Sequence, residues 1–353
     1  MEVKEWVDGL IAGSPVLGSI PPEVTYLLAM VFASLVAVGW MAICALFFVW
    51  TERKISARIQ SRYGPVYTGG KFGWAQTIAD ALKLLMKEDL VPASADRLLF
   101  NIAPVLTFLA TMLTFAVIPA GNGIIAADLD IGIFYLLAVS SLGVIGIMMG
   151  GWASNNKWSL YGGMRAASQI ISYEIPVALS LIGVIMYTGT LNMTQIGLSQ
   201  AGGIWHWNFL RSPFLFAAGL VYFIAALAEV NRTPFDLPEA ESELVSGYNT
   251  EYSGMKFAFF FLAEFANLFV ISAVATTMFL GAWNSFLPWQ VLPGPIWFVA
   301  KTFLLVAVIQ WVRWTLPRLR VDQLMHVCWK VLIPVSFVLL IGLGMQMWFF
   351  PGR

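Results

Sequence analysis

Long apolar runs separated by short polar connections set the pattern of this chain. They cover about residues 24–50, 98–120, 131–152, 168–188, 213–230, 257–282, 296–316 and 329–350. Several exceed the roughly 18–20 residues that cross a bilayer as helix. Backbone groups in lipid must be paired within the segment, which leaves helix as the sensible conformation; the alternation of a membrane barrel is absent. The pattern predicts an all-α polytopic membrane protein of eight transmembrane helices, forming one membrane domain over residues 1–353.

One connection carries a pattern of its own. Between 51 and 97, the residues Trp74, Ile78, Ala81, Leu82 and Leu85 recur at helical spacing, while Asp80, Lys83 and Lys87 line another face. This predicts an amphipathic helix over about 74–87, lying along the membrane surface or packed as an ordinary helix against spans or other subunits. Gly143, Gly146, Gly150 and Gly151 in the third run predict close helix approach in lipid. Pro104, Pro176 and Pro334 each remove a backbone donor inside a run and mark places where a helix can kink.

Basic residues orient the bundle. Arg53, Lys54, Arg58, Arg62, Lys71, Lys83, Lys87 and Arg97 share one connection, and Lys157, Arg165, Arg232, Lys256, Arg313, Arg318, Arg320 and Lys330 fall on the same side. The opposite side holds Lys4, Arg211 and Arg353. Basic loops stay in the cytoplasm, so both termini are expected on the outer, periplasmic side. Trp50, Trp152, Trp158 and Trp329 then fall at the inner interface, and Trp205, Trp207, Trp283, Trp289 and Trp348 at the outer one, as an aromatic belt. Lys301, inside the seventh run, reads as a side chain snorkelling to the outer interface.

Composition narrows the class. Of 353 residues, 59% are apolar and 11% charged, against roughly a quarter charged in soluble domains. The net charge of zero implies no nucleic-acid partner. Cys44 and Cys328 are alone, and His206 and His326 are far apart, so no disulfide framework, no iron–sulfur cluster held by this chain and no metal site is expected. The first 22 residues make a poor signal peptide, because Lys4 is the only early base and the next apolar run is too long. Gly121–Ala126 fits a loose dinucleotide fingerprint but lacks the strand and helix that would flank it.

The chemistry concentrates between 229 and 256, a connection carrying Glu229, Asp236, Glu239, Glu241, Glu243 and Glu251 against Arg232 and Lys256. A solvated loop is one reading; a polar cavity wall that handles protons or receives a partner is the other. Glu239 and Glu243 would repel each other on a helix, which calls for shared protons or a cation such as Arg53, Arg62, Arg313, Arg318 or Arg320. Glu174, Glu229 and Glu264 fall within or at the ends of spans, all in the inner half. Acids in a membrane mark proton or ion routes, the alternative being structural ion pairs or neutral hydrogen-bonded acids.

The segment from Glu229 through Thr233-Pro-Phe-Asp-Leu-Pro-Glu-Ala-Glu-Ser-Glu to Tyr252 resembles the signature of the quinone-site membrane subunit of respiratory complex I, the proton-translocating NADH:quinone oxidoreductase. Glu52-Arg-Lys through Arg62-Tyr-Gly-Pro65, Gln76 through Lys83, Gly151 through Asn155, Arg165 through Pro176, Ala263 through Asn267 and Pro317 through His326 match in the same order. The resemblance covers nearly the whole chain. It implies that Arg53, Arg62, Asp80, Phe261 and Arg313 line a quinone tunnel. It implies that Asp236, Glu239, Glu241 and Glu243 form an acidic wall, and that Glu174, Glu229 and Glu264 continue the proton path.

Further implications concern the assembly. Quinone is the substrate, while FMN and iron–sulfur clusters belong to partner subunits. The partners are the hydrophilic-arm subunits with the terminal cluster, small membrane subunits, antiporter-like subunits and lipid. The location is the bacterial inner membrane rather than the mitochondrial one. Val66 and Thr77 depart from the family's usual Asn and Pro, and the spacing between them is one residue longer, at the tunnel mouth. Related membrane subunits of hydrogenase or formate-oxidising complexes, a stand-alone antiporter and a structural anchor are the rival readings.

Overall fold

A computed structural model of the chain describes residues 22–238, 241–287 and 292–350, with the side chains at 22, 241 and 242 excepted. In chain order the helices are α1 (Pro22–Ile59), α2 (Gln76–Met86), α3 (Arg97–Phe115), α4 (Gly132–Ala153), α5 (Lys157–Thr188), α6 (Met193–Ser199), α7 (Asn208–Arg211) and α8 (Pro213–Glu229). They continue with α9 (Glu241–Leu244), α10 (Gly254–Met278), α11 (Gly294–Thr315), α12 (Val321–Val327) and α13 (Ile333–Phe349), with a π-type turn at Cys328–Leu332. Among the described residues the one β feature is a bridge between Gly121 and Ile124.

Among the described residues, 7 helical segments are long and apolar enough to cross a membrane: α1, α3, α4, α5, α10, α11 and the run Val321–Phe349. The remaining predicted run, α8, is apolar but has 17 residues. Two helices run well past the apolar stretches that predict them. α1 continues to Ile59, with Arg58 in its last turn, where a cation complements the helix dipole. α5 starts at Lys157 because the Asn156 side chain accepts from the Trp158 N–H. This N-cap satisfies one of the four orphan donors there.

The amphipathic helix expected near 74–87 forms as α2, slightly shorter than predicted, with Trp74 outside it and exposed. Leu82, Leu85 and Met86 are exposed in the isolated chain, as an apolar face turned to lipid or a partner requires. Thr77 lies in its first turn, a place that also tolerates Pro, so this departure leaves the helix intact.

Close approaches fix the bundle. A Cβ on Gly146 would collide with the Thr107 hydroxyl and come within 2.9 Å of the Thr107 nitrogen, so α3 and α4 pack backbone to backbone there, as the glycine pattern predicts. A Cβ on Gly162 would lie 2.6 Å from the Tyr248 nitrogen, and Ser159 donates to the Tyr248 carbonyl at 3.0 Å. The connection after α9 is thereby seated on α5. Tyr252 stacks on Phe100 with centroids 4.0 Å apart, and Tyr248 and Tyr252 join a core with Val144, Ile147, Ala166 and Phe260. Much of the polar connection is therefore packed into the bundle.

Three expectations about the outer end need correction. Trp207 and Trp283 are buried, at 4% and 3% exposure, and are core side chains instead of belt anchors; Trp205 and Trp348 are exposed as expected. Lys301 does not snorkel. It is 5% exposed, because the carbonyls of Leu280, Ala282 and Asn284 bind its ammonium inside the fold. Trp289 lies outside the described residues.

Candidate functional site

The loop after α8 folds back over the end of α5. Gln169 Nε2 lies within hydrogen-bond distance of the Ala228 carbonyl at 2.8 Å, Asn231 Oδ1 at 3.0 Å and the Phe235 carbonyl at 2.7 Å. The Leu319 N–H donates to the Pro234 carbonyl at 3.0 Å, which draws in the segment after α11. These bonds turn Arg232 inward, to 3% exposure, with its guanidinium 4.3 Å from the centre of the Phe265 ring.

Arg232 is the hub of a buried charge chain. Its Nη2 is 3.0 Å from Glu264 Oε1 on α10, and its Nη1 is 3.3 Å from Glu52 Oε2 on α1. Glu52 accepts from Arg313 on α11 through its other oxygen. Three helices and one loop meet at these four side chains. Beside them Asp236 lies 3.5 Å from Arg318. Interior charges persist when paired, and their desolvation makes each partner dependent on the other.

Two spaces lie in this part of the fold. A small cavity of about 70 Å³ is lined by Glu229, Asn231, Glu264, Asn267, Tyr222 and Tyr248, among others. Glu229 interacts electrostatically with Glu174 on α5, although Glu174 does not line this cavity. A more open crevice of about 720 Å³ lies where α1 meets the following segment, lined by Trp50, Lys54, Arg58, Arg62, Tyr63 and Phe72. Lys54 donates to the Pro65 carbonyl at 2.6 Å and Trp50 Nε1 to the Phe72 carbonyl at 3.1 Å, which fold this segment against α1. Val66, the other departure, is part of the crevice wall.

The predicted tunnel residues distribute around this frame. Arg53 pairs with Asp80 at 2.6 Å and joins α1 to α2. Arg62 lines the crevice, Arg313 holds Glu52, and Phe261 packs against Phe257 and Phe265. Thr51 donates to Gln310 Oε1 at 3.1 Å, so three consecutive residues of α1 reach three different neighbours.

The acidic wall is only partly described. Asp236 and Glu243 are placed; Glu239 lies outside the described residues, and of Glu241 only the backbone, in α9, is described. Glu243 pairs with Arg165 at 2.6 Å, not with any of the five arginines suggested by the sequence. α9 begins at Glu241, so a helical repulsion between 239 and 243 is not part of the described structure. Glu52 and Arg232 are the site residues that sequence reasoning leaves out. An acid at the end of the first apolar run is their available signal.

Among the described residues no group of three or more His, Cys, Asp or Glu side chains is arranged to hold a metal ion. A helical membrane bundle with paired charges buried between its helices defines a polytopic membrane protein built to hold ions in a low-dielectric interior. The sequence matches the family described as NADH dehydrogenase over residues 32–344. It is 50% identical to the H subunit of NADH-quinone oxidoreductase from Anaeromyxobacter dehalogenans over 333 residues, 89% of this chain and 80% of that protein. The same-named proteins of Chlorobium luteolum and Chlorobaculum tepidum are 47% and 49% identical, over 99% and 95% of this chain and 95% of each relative. The chain belongs to the NADH dehydrogenase family, as a membrane subunit of the NADH-quinone oxidoreductase enzyme complex, and the resemblance seen in the sequence is borne out.

Proposed function

We propose that this chain forms the membrane wall of a quinone-binding chamber and couples quinone reduction to proton translocation. The quinone lies against the crevice and the α1–α2 junction, where Arg53, Arg62, Asp80, Phe261 and Arg313 are the contacting or wall-forming groups. Reduction to the quinol takes up two electrons and two protons. The electrons come from iron–sulfur clusters, and ultimately FMN, in partner subunits of the hydrophilic arm. A transient negative charge at the quinone is felt strongly in a water-poor site. It shifts the balance along Arg313, Glu52, Arg232 and Glu264 and alters proton occupancy at Glu229 and Glu174. From there protons pass to the antiporter-like membrane subunits, with the acidic wall of Asp236, Glu239, Glu241 and Glu243 joining the two regions.

The observation that carries this reading is the line of paired charges that runs from Glu264, in the wall of the cavity that Glu229 also lines, through Arg232 and Glu52 to Arg313. With α8 as the short eighth span, the basic connections face the cytoplasm and both termini the periplasm of a bacterial inner membrane. The test is Glu229→Gln in the whole complex. It should assemble, yet lose most quinone reductase and proton-pumping activity; full coupled activity in an assembled variant would refute the assignment. Ion transport by the purified chain alone in liposomes would instead favour a stand-alone antiporter.

A further inference from the structure

One side chain ties the loop that carries Arg232 to the bundle. Gln169 on α5 is 1% exposed. Its Nε2 meets three acceptors: the Ala228 carbonyl at 2.8 Å, Asn231 Oδ1 at 3.0 Å and the Phe235 carbonyl at 2.7 Å. Ala228 and Asn231 precede Arg232 and Phe235 follows it, so the amide grips both sides of the turn. From within, the Arg232 N–H donates to the Leu227 carbonyl at 3.3 Å and the Phe235 N–H to the Arg232 carbonyl at 2.8 Å. One turn further along α5, Tyr173 packs on Phe235 with ring centres 5.6 Å apart and donates to the Leu324 carbonyl at 2.9 Å. Residues four apart share a helix face, so Gln169 and Tyr173 form one seat for the loop.

The chemistry of this seat is one-sided. The amide of Gln169 has two N–H donors and one carbonyl oxygen. Reversed, it would set that oxygen against three acceptors, so the Nε2 end is the one turned to the loop. The cost shows at the other end. Oε1 is buried and has no hydrogen-bond partner among the described residues, and buried polar groups are seldom left so. The donor end therefore decides the orientation. Asn231 has a φ of 54°, a left-handed conformation that Asn adopts more readily than most residues. It also lines the cavity of Glu229 and Glu264, so the grip of Gln169 reaches the cavity wall as well as the turn of Arg232.

We propose that Gln169 is a positioning residue for the coupling step: it holds the turn that sets Arg232 between Glu52 and Glu264. The inference rests on the reading above, in which this chain of charges answers quinone reduction. Gln169 acts through the backbone on either side of Arg232. A guanidinium that serves two carboxylates depends on direction as well as distance, so a turn released from α5 loosens both ion pairs at once.

The test uses the whole complex in membranes and compares wild type, Gln169→Met, Gln169→Glu, Arg232→Lys and a double variant with Gln169→Met and Arg232→Lys. Met keeps the length of the side chain without a donor; Glu keeps the shape and turns carboxyl oxygens toward the three acceptors. Steady-state NADH:quinone kinetics are read per assembled complex, with assembly measured on native gels. The expected kcat is lower by about tenfold in both Gln169 variants, with the quinone KM within about twofold of wild type. The double variant should be within about twofold of Arg232→Lys alone, because both changes loosen the same guanidinium. Wild-type kcat in an assembled Gln169 variant overturns the proposal. So do losses that multiply in the double variant, a change confined to KM, or failure of both Gln169 variants to assemble, because the side chain is then framework alone. Failure of the coupling reading shows separately, as full coupled activity in Glu229→Gln.

Discussion

Arg232 and Glu264 meet at 3.0 Å, one on a loop and the other within an apolar helix. The arginine is 3% exposed, and its other terminal nitrogen reaches Glu52 at 3.3 Å. Removing the guanidinium strands the Glu264 carboxylate and leaves Glu52 with Arg313 alone, and breaking such a buried pair from one side costs about 3–5 kcal/mol. Arg232→Met is expected to lower the thermal stability of the complex by that order and to reduce its assembled yield on native gels. Arg232→Lys should recover only part, since an ammonium is a point charge without the planar fork that bridges two acids.

Arg53 and Asp80 are half in solvent, with side chains 42% and 28% exposed. A pair of this kind contributes about 0–1 kcal/mol to stability. Asp80→Asn and Arg53→Met should therefore leave the melting temperature nearly unchanged. Their effect is expected in the quinone KM, raised by either change and hardly further by both together, because each detaches the same helix from α1. Additive effects in steady-state quinone kinetics would separate the two residues.

Gly146 has no room for a side chain. An added Cβ meets the Thr107 hydroxyl, and the Ala103 carbonyl lies 3.1 Å away. Gly146→Ala should destabilise the complex by about 1–3 kcal/mol through overpacking. Thr107→Ala in the same chain should restore part of this loss, since it removes the hydroxyl but not the backbone contact. Thermal denaturation of wild type and the two variants in detergent provides the check.

Tyr252 donates its hydroxyl to the Phe100 carbonyl at 3.2 Å, and burial raises its phenol above the ordinary value of 10.0. The folded state holds the proton more tightly than the unfolded one. Its contribution to stability is thus complete below about pH 10 and declines as pH rises toward the folded-state value. Tyr252→Phe should cost about 1 kcal/mol at neutral pH for the lost hydrogen bond and flatten the alkaline decline. Melting temperatures between neutral pH and about pH 10.5 would expose a wrong sign.

The long apolar runs make most of the helices legible, since lipid leaves few alternatives to helix. The end of α1 is harder to read. Nothing in a run ending Trp50-Thr-Glu-Arg says that the helix continues to Ile59, because the apolar signal stops where the chain leaves the oil. Glu52 stands within a recognisable motif, but its burial is hidden because its partners Arg232 and Arg313 are remote in sequence. Lys301 misleads for a related reason. A lone lysine near an interface ordinarily reaches for water, and only the folded chain reveals carbonyls from three residues of another segment converging on it. Trp207 and Trp283 look like interface residues until the loops around the end of α10 close over them. Glu243 finds Arg165, a base on the helix its own loop packs against, which composition alone does not single out.

Thr51, Glu52 and Arg53 have a mechanical consequence. Successive side chains leave a helix about 100° apart, and these three are tied to Gln310, to Arg232 with Arg313, and to Asp80. Tethers at three azimuths stop the long rod from rolling about its axis. A turn of one residue would exchange every partner at once, so the part of α1 bathed in lipid inherits its angular setting from three adjacent residues at its polar end.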